Sequence, residues 1–329
     1  MIDMHTHCLP GPLVAELQRR ETPPDIDVEP DGSATLGIHT GRIPYSTHFV
    51  DTSARLELMD RAGVHTEVLS LPGLFGVDSL AAAEALPLCR LFNDGVAAIA
   101  AAHPGRFVGL ASLPLADLGQ AATEYRRART ELGLAGVILP GDGFVDLATA
   151  QTLAPVFDAV AELGGLVFVH PGPLPGDGPN HPARTHADSP LHRRVTVDIQ
   201  NRLSHVMVTL ALTDFLEPWP EVPVQVANLG GSLPAMIERM DLVSEVRRPG
   251  EPLPSEVMKR LWVDCSTMGP RAIELAVAVY GADRVMMGTD TPVFGPRTRW
   301  EALEAAALPP SERRRIAHDN AADLLASVT

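Results

Sequence analysis

Short apolar runs alternate with amphipathic stretches along nearly the whole chain, and this alternation predicts the fold. The runs are Glu67–Leu71, Phe107–Leu113, Gly136–Leu139, Leu166–Val169, Val222–Ala227, Leu261–Cys265 and Arg284–Met287. Between them, helical spacing predicts helices over about 80–102, 117–132, 148–163, 191–216, 232–247, 269–280 and 299–307. A further helix, Asp51–Ala62, carries Leu56, Met59 and Ala62 on one face and stops at Gly63. With an opening strand around Met4–His7, the pattern gives eight strand-then-helix units. Near-continuous apolar strands separated by helices imply a parallel sheet covered on both faces. Eight such units predict a (β/α)8 TIM barrel, read as a single domain over residues 1–329. A doubly wound open sheet is the other architecture with this alternation, but no Gly-rich phosphate loop follows the first strand.

Two stretches break the pattern. Residues 8–50 are rich in Pro and Gly and show no clear period, so a long insertion after strand 1 is expected there, read as a functional loop. Pro171–Pro190, containing His181 and His186, reads as a second loop on the same face.

In a barrel, chemistry gathers at the C-terminal ends of strands. Here those ends carry His5 and His7, His170, Asn228 and Asp290. Residues two apart on a strand point to the same face, so His5 and His7 offer adjacent imidazoles. Three imidazoles and a carboxylate on converging strand ends are the donor set of a mononuclear zinc site with an open position.

Composition narrows the partners. The chain has 329 residues, 45% hydrophobic and 20% charged, with a formal net charge of -15. No basic cluster offsets that charge, which argues against nucleic acid and anionic membrane as partners and leaves a small-molecule substrate. No run approaches the roughly 18 uninterrupted apolar residues of a membrane helix. The first strand carries candidate ligands, so the N-terminus is not read as a signal peptide. Three scattered cysteines make no disulfide framework, and a cytoplasmic location is expected.

Several motifs together resemble the amidohydrolase superfamily, in the branch of aminocarboxymuconate-semialdehyde decarboxylase. They are Ile2-Asp3-Met4-His5-Thr6-His7, His103-Pro104-Gly105-Arg106-Phe107, Val169-His170-Pro171, Leu229-Gly230-Gly231-Ser232-Leu233-Pro234, Gly288-Thr289-Asp290-Thr291-Pro292 and Asn320-Ala321-Ala322-Asp323-Leu324-Leu325. The resemblance implies a divalent metal, zinc or alternatively manganese, held by His5, His7, His170 and Asp290. It also implies a homodimer. Relatives in that branch are nonoxidative decarboxylases of unsaturated or aromatic acids, hydrolases of cyclic esters and amides, and hydratases. One departure stands out: the family usually has a proton-transferring histidine where this chain has Asn228, before Leu229-Gly230-Gly231. An amide can hold water or a substrate oxygen but has no proton to give near neutral pH.

The expected reaction is therefore nonoxidative decarboxylation, with Asp290 moving the proton and Asn228 positioning water or substrate. The alternatives are metal-dependent hydrolysis of a lactone or cyclic amide, and a non-catalytic metal-binding barrel. Asp264 and Ser266 close the seventh strand and are placed to orient a ligand histidine. His103 and His205 read as structural or surface residues, His48, His181, His186 and His192 as loop residues. Arg42, Arg184, Arg193, Arg194 and Arg297 are the candidate partners of a substrate carboxylate. Cys8 and Cys265 read as small buried side chains.

Overall fold

A computed structural model of the chain describes residues 1–38, 41–177, 191–294 and 300–328. Its strands, in chain order, are β1 (Ile2–His7), β2 (Asp25–Val28), β3 (Ala34–Ile38), β4 (Gly41–Pro44), β5 (Thr66–Ser70), β6 (Phe107–Ala111), β7 (Gly136–Pro140), β8 (Leu166–His170), β9 (Val224–Val226), β10 (Trp262–Asp264) and β11 (Val285–Met286). Eight of them form one parallel sheet in the order β1-β5-β6-β7-β8-β9-β10-β11. The sheet closes on itself. The Met4 N–H donates to Met287 O at 2.9 Å, His7 N–H to Thr291 O at 2.8 Å, and Thr6 pairs with Thr291. Helices between successive strands complete the expected (β/α)8 barrel.

Residues 8–50 differ from the expectation of an irregular loop. They hold a short helix, Gly11–Leu17, and a three-stranded antiparallel sheet, β2-β3-β4. Ile26, Leu36 and Ile38 are buried in the main core, so this insertion is docked to the barrel. The predicted helix over 148–163 is two helices, Leu147–Thr152 and Ala154–Leu163, because Pro155 at the start of the second cannot continue the first. On the helix Thr52–Ala62 the buried face is Arg55, Leu58, Met59 and Ala62, with Leu56 half-buried against the core beside it. Asp51 caps that helix by accepting from Ser53 N–H and Ala54 N–H.

The C-terminal helix Asn320–Val328 packs Ala321, Leu324, Leu325 and Val328 against Ile2, Met4, Leu110, Ile138 and Leu166. That plug fills one end of the barrel and leaves the opposite end, where strands finish, for chemistry. A bulge in β1 sets the transition between the two. Asp3 pairs with Glu67 but Thr6 pairs with Leu69, so β1 carries one extra residue. Met4 therefore joins the plugged core containing Phe168 while the next residue, His5, also reaches the interior, its ring 5.0 Å from that of Phe168.

Candidate metal centre

His5, His7, His170 and Asp290 converge, their candidate ligand atoms all lying within 4.8 Å of one another. His5 and His7 come from β1, His170 ends β8, and Asp290 follows β11. The three imidazoles meet edge-on, with centroids 5.1 Å apart for His5–His7 and 4.9 Å for each pair with His170. Asp290 Oδ1 lies 3.0 Å from His7 Nε2 and 3.8 Å from His5 Nε2.

Every imidazole is anchored through Nδ1. His5 Nδ1 bonds Asp264 Oδ1 at 2.9 Å, His7 Nδ1 bonds Ser70 Oγ at 3.1 Å, and His170 Nδ1 bonds the Pro171 carbonyl at 2.9 Å. Among the described residues, the Nε2 atoms of His5 and His7 are buried without a hydrogen-bond partner. Orphaned buried nitrogens are costly unless something satisfies them, and a divalent cation among three imidazoles and a carboxylate does so. The donor set fits a metal. Anchoring Nδ1 also fixes which nitrogen faces the ion.

The electrostatics agree. Burial, then the neighbouring His5, pushes His7 and His170 well below the usual histidine range, so both stay neutral, as a ligand must be. At His5 burial acts downward too, but Asp264 outweighs it and raises the ring to about 9. A proton on Nε2 of His5 occupies the place a cation would take in that field. Burial raises the Asp290 carboxyl, against the pull of His5 and His170.

Asp264 is the hub behind the ligands. Besides His5, its Oδ1 receives Ser266 N–H at 3.1 Å and Asn228 N–H at 3.4 Å, and its Oδ2 receives Gln225 Nε2 at 2.8 Å. Burial opposes its charge, yet His5 and these donors hold it below the ordinary carboxylate range.

A family model described as amidohydrolase matches residues 2–326. The chain belongs to the amidohydrolase family. Within it, the chain is 30% identical over 295 residues to gamma-resorcylate decarboxylase of Rhodococcus jostii, covering 82% of this chain and 86% of that protein. It is 27% identical over 253 residues to 2-amino-3-carboxymuconate-6-semialdehyde decarboxylase of Dictyostelium discoideum, covering 74% of this chain and 67% of that one. The fold is similar to that of a dihydroxybenzoic acid decarboxylase from Polaromonas sp. solved with manganese and 2-nitroresorcinol. There the TM-score is 0.72 and the identity 20%, over 99% of this chain and 96% of the other.

Asn228 sits in this amidohydrolase at the end of β9 with φ 54°, a left-handed conformation that asparagine tolerates better than most residues. Its Nδ2 donates to Ser266 O at 3.1 Å and to Thr267 Oγ1 at 2.9 Å. Both amide protons are thereby used, leaving Oδ1 as an acceptor. Its link to the ligands runs through Asp264.

Arg42 grips Asp25 with both terminal nitrogens inside the insertion. His103 caps the helix Ala82–Ala102 and His205 is exposed on the helix Leu191–Leu212. His48 lies half-buried at Thr47–Phe49, while Arg193 is exposed and Arg194 half-buried on the helix Leu191–Leu212. Cys8, Cys89 and Cys265 are buried free thiols. His181, Arg184, His186, Arg297 and the His192 side chain lie outside the described residues.

Sequence reasoning missed Ser70, Gln225 and Thr267. Ser70 closes an apolar strand just as Asp264 does, and that shared position was the available signal. Gln225 is a polar residue inside a buried run, Val224–Val226, and a lone polar group there must be bonded to something.

Proposed function

We propose that this amidohydrolase is a metal-dependent nonoxidative decarboxylase of a small aromatic or unsaturated carboxylic acid. The observation that carries the reaction class is the 30% identity to gamma-resorcylate decarboxylase over most of both chains. The convergence of three anchored imidazoles and Asp290 supplies the parts such a reaction needs. His5, His7 and His170 would hold the ion through Nε2 and Asp290 through Oδ1. We propose zinc, with manganese as the alternative, as found in the Polaromonas structure. When bound, the ion supplies a Lewis acid that polarises a substrate oxygen or carboxylate.

The chain's own residues do the rest. Asp290 turns Oδ1 toward the imidazoles and keeps its second oxygen for a proton. In the proposed step that carboxyl protonates the carbon bearing the substrate carboxylate. The bond between them then breaks, its electron pair stays with the substrate carbon, and carbon dioxide leaves. Asp290 regains its proton from solvent. Asn228 Oδ1 accepts from a substrate hydroxyl or a water and so orients the ring. Asp264 keeps His5 in one tautomer throughout.

The test loads the protein with Zn²⁺ or Mn²⁺ and follows carbon dioxide release from hydroxylated benzoates and unsaturated acids. Release from at least one, abolished in Asp290→Asn, supports the reading. Opening of lactones or cyclic amides with no carbon dioxide from any acid overturns it in favour of hydrolysis. We also propose a homodimer in the cytoplasm. The helix Ile237–Arg247 turns Leu242, Val243 and Val246 to solvent, apolar surface that a second copy would cover. Light scattering after gel filtration checks the dimer.

A further inference from the structure

Behind the metal centre lies a buried arginine that none of the chemistry above uses. Arg55 sits on the apolar face of the helix Thr52–Ala62 and is 4% exposed. A cation at such a position needs a reason. Its guanidinium faces a buried acid on one side, Glu67 of β5, with Nε 3.1 Å from Oε2. On the other side it donates to backbone carbonyls. Nη1 and Nη2 both reach His7 O, at 2.9 and 2.6 Å, and Nη2 also reaches Thr291 O at 3.3 Å.

Those two carbonyls belong to a metal ligand and to the neighbour of another. His7 is on β1, and Thr291 follows Asp290 on the segment after β11. They face each other across the seam where the barrel closes. Regular pairing there is thin: β11 spans only Val285–Met286, and Thr6–Thr291 is an isolated bridge. The same Thr291 carbonyl already accepts from His7 N–H at 2.8 Å. Arg55 thus ties together the two chain segments that must present His7 and Asp290 to one ion.

We propose that Arg55 is a positioning residue that sets the spacing of His7 and Asp290 by clamping their backbones across the barrel seam. This rests on the reading of His5, His7, His170 and Asp290 as metal ligands. The guanidinium suits the task because its planar fork offers several donors in fixed directions, which an ammonium cannot reproduce. Glu67 supplies the counter-charge that lets the cation stay buried. It touches neither carbonyl, so its part is in stability and the fork's part is in geometry.

The test compares the full-length protein with Arg55→Lys and Glu67→Gln. Mn²⁺ affinity is read by competition with a chelator, Co²⁺ coordination by the visible spectrum, and stability by urea unfolding without metal. Arg55→Lys is expected to weaken Mn²⁺ binding about 10- to 100-fold, the effect typical of losing a support behind a ligand. Its Co²⁺ spectrum shifts as well. Glu67→Gln is expected to lower stability while keeping the affinity and the spectrum. Should Arg55→Lys fail to fold, the double variant Arg55→Met with Glu67→Met removes both charges together, and the same two readings are taken on it. Wild-type affinity and spectrum in the Arg55 variant overturn the clamp. So does an affinity loss in Glu67→Gln matching that of the Arg55 variant, since the effect would then follow stability alone. A wild-type protein that takes up neither Mn²⁺ nor Co²⁺ removes the metal reading itself, and the clamp with it.

Discussion

Asp264→Asn isolates what a buried carboxylate contributes behind a metal ligand. Asp264 is wholly buried, and its two oxygens receive His5 Nδ1, Ser266 N–H, Asn228 N–H and Gln225 Nε2. Asparagine keeps the volume and an oxygen for His5. Its amide then meets Gln225, whose Oε1 has no partner among the described residues and can rotate to accept. The fold should lose only about 1–2 kcal/mol. Alanine, by contrast, strands several buried donors at roughly 1–3 kcal/mol each, for a total of about 4 kcal/mol or more. What asparagine cannot replace is the charge. Without it His5 is a weaker base, and intrinsic Zn²⁺ affinity should fall about 10- to 100-fold, or roughly 1.4–2.7 kcal/mol. A proton competes for the same nitrogen, and the Asp264 charge holds that proton too, raising His5 to about 9. Below pH 9 the apparent affinity of the wild type should therefore climb about tenfold per pH unit, and Asp264→Asn should flatten the climb. The assay is Zn²⁺ titration against a competing chelator from pH 7 to 9, with urea unfolding alongside. Equal affinity at pH 9 and parallel pH slopes for the two proteins would refute the reasoning.

Four further outcomes follow from the same geometry. Asp78 is buried with an Oδ1 that has no partner among the described residues, and burial raises its carboxyl to about 7. The folded value exceeds the unfolded one, so its contribution to stability is full below about pH 4 and is lost as pH rises to 7. Asp78→Asn should gain up to about 4 kcal/mol on the wild type between pH 4 and 8 in urea unfolding, and superimposable pH profiles would contradict this. Thr267 is β-branched at φ 59°. Thr267→Gly should relieve roughly 1–2 kcal/mol of strain and hold or raise the urea midpoint while lowering turnover, because Asn228 loses an anchor. A midpoint that drops steeply counts against strain. Asn228→His should keep the fold and full metal content by elemental analysis, since histidine tolerates the left-handed region, and should add a pH limb to turnover near 6.5. Mn²⁺ added to chelator-treated protein at a hundred times its Kd should stabilise by about 2.7 kcal/mol. That gain should vanish in His170→Ala, as thermal melts will show.

The ligands were legible in the sequence because barrel topology does the gathering. Residues as far apart as His5, His170 and Asp290 need only close their strands to meet. Among the supports Asp264 was legible in the same way, as a strand end set to orient a ligand histidine, but the pairings of His7 with Ser70 and of Arg55 with Thr291 join positions remote in the chain that the sequence does not connect. The β1 bulge belongs to the pairing with β5 rather than to either strand alone. The insertion hid for another reason: β2, β3 and β4 (Asp-Ile-Asp-Val, Ala-Thr-Leu-Gly-Ile and Gly-Arg-Ile-Pro) mix polar, Gly and Pro residues and lack the continuous apolar run that marks the barrel strands. Arg55 hid because a helix wheel assigns arginine to the wet face. Backbone conformation was equally silent. The described residues other than glycine with positive φ are Asn228, Leu229, Thr267 and Asp290, all in the turns that leave β9, β10 and β11. The cost is about 1–2 kcal/mol at Leu229 and at Thr267 and smaller at Asn228 and Asp290, and such turns persist only where their surroundings over-determine them. Asp264 receives the Asn228 N–H and Thr267 receives the Asn228 amide, so two of the strained turns brace each other. The third, at Asp290, sits beside the carbonyl that Arg55 holds. The strain therefore lies where the site is most tightly bonded, which is the arrangement expected if those turns aim Asp290 and Asn228 at a shared ligand.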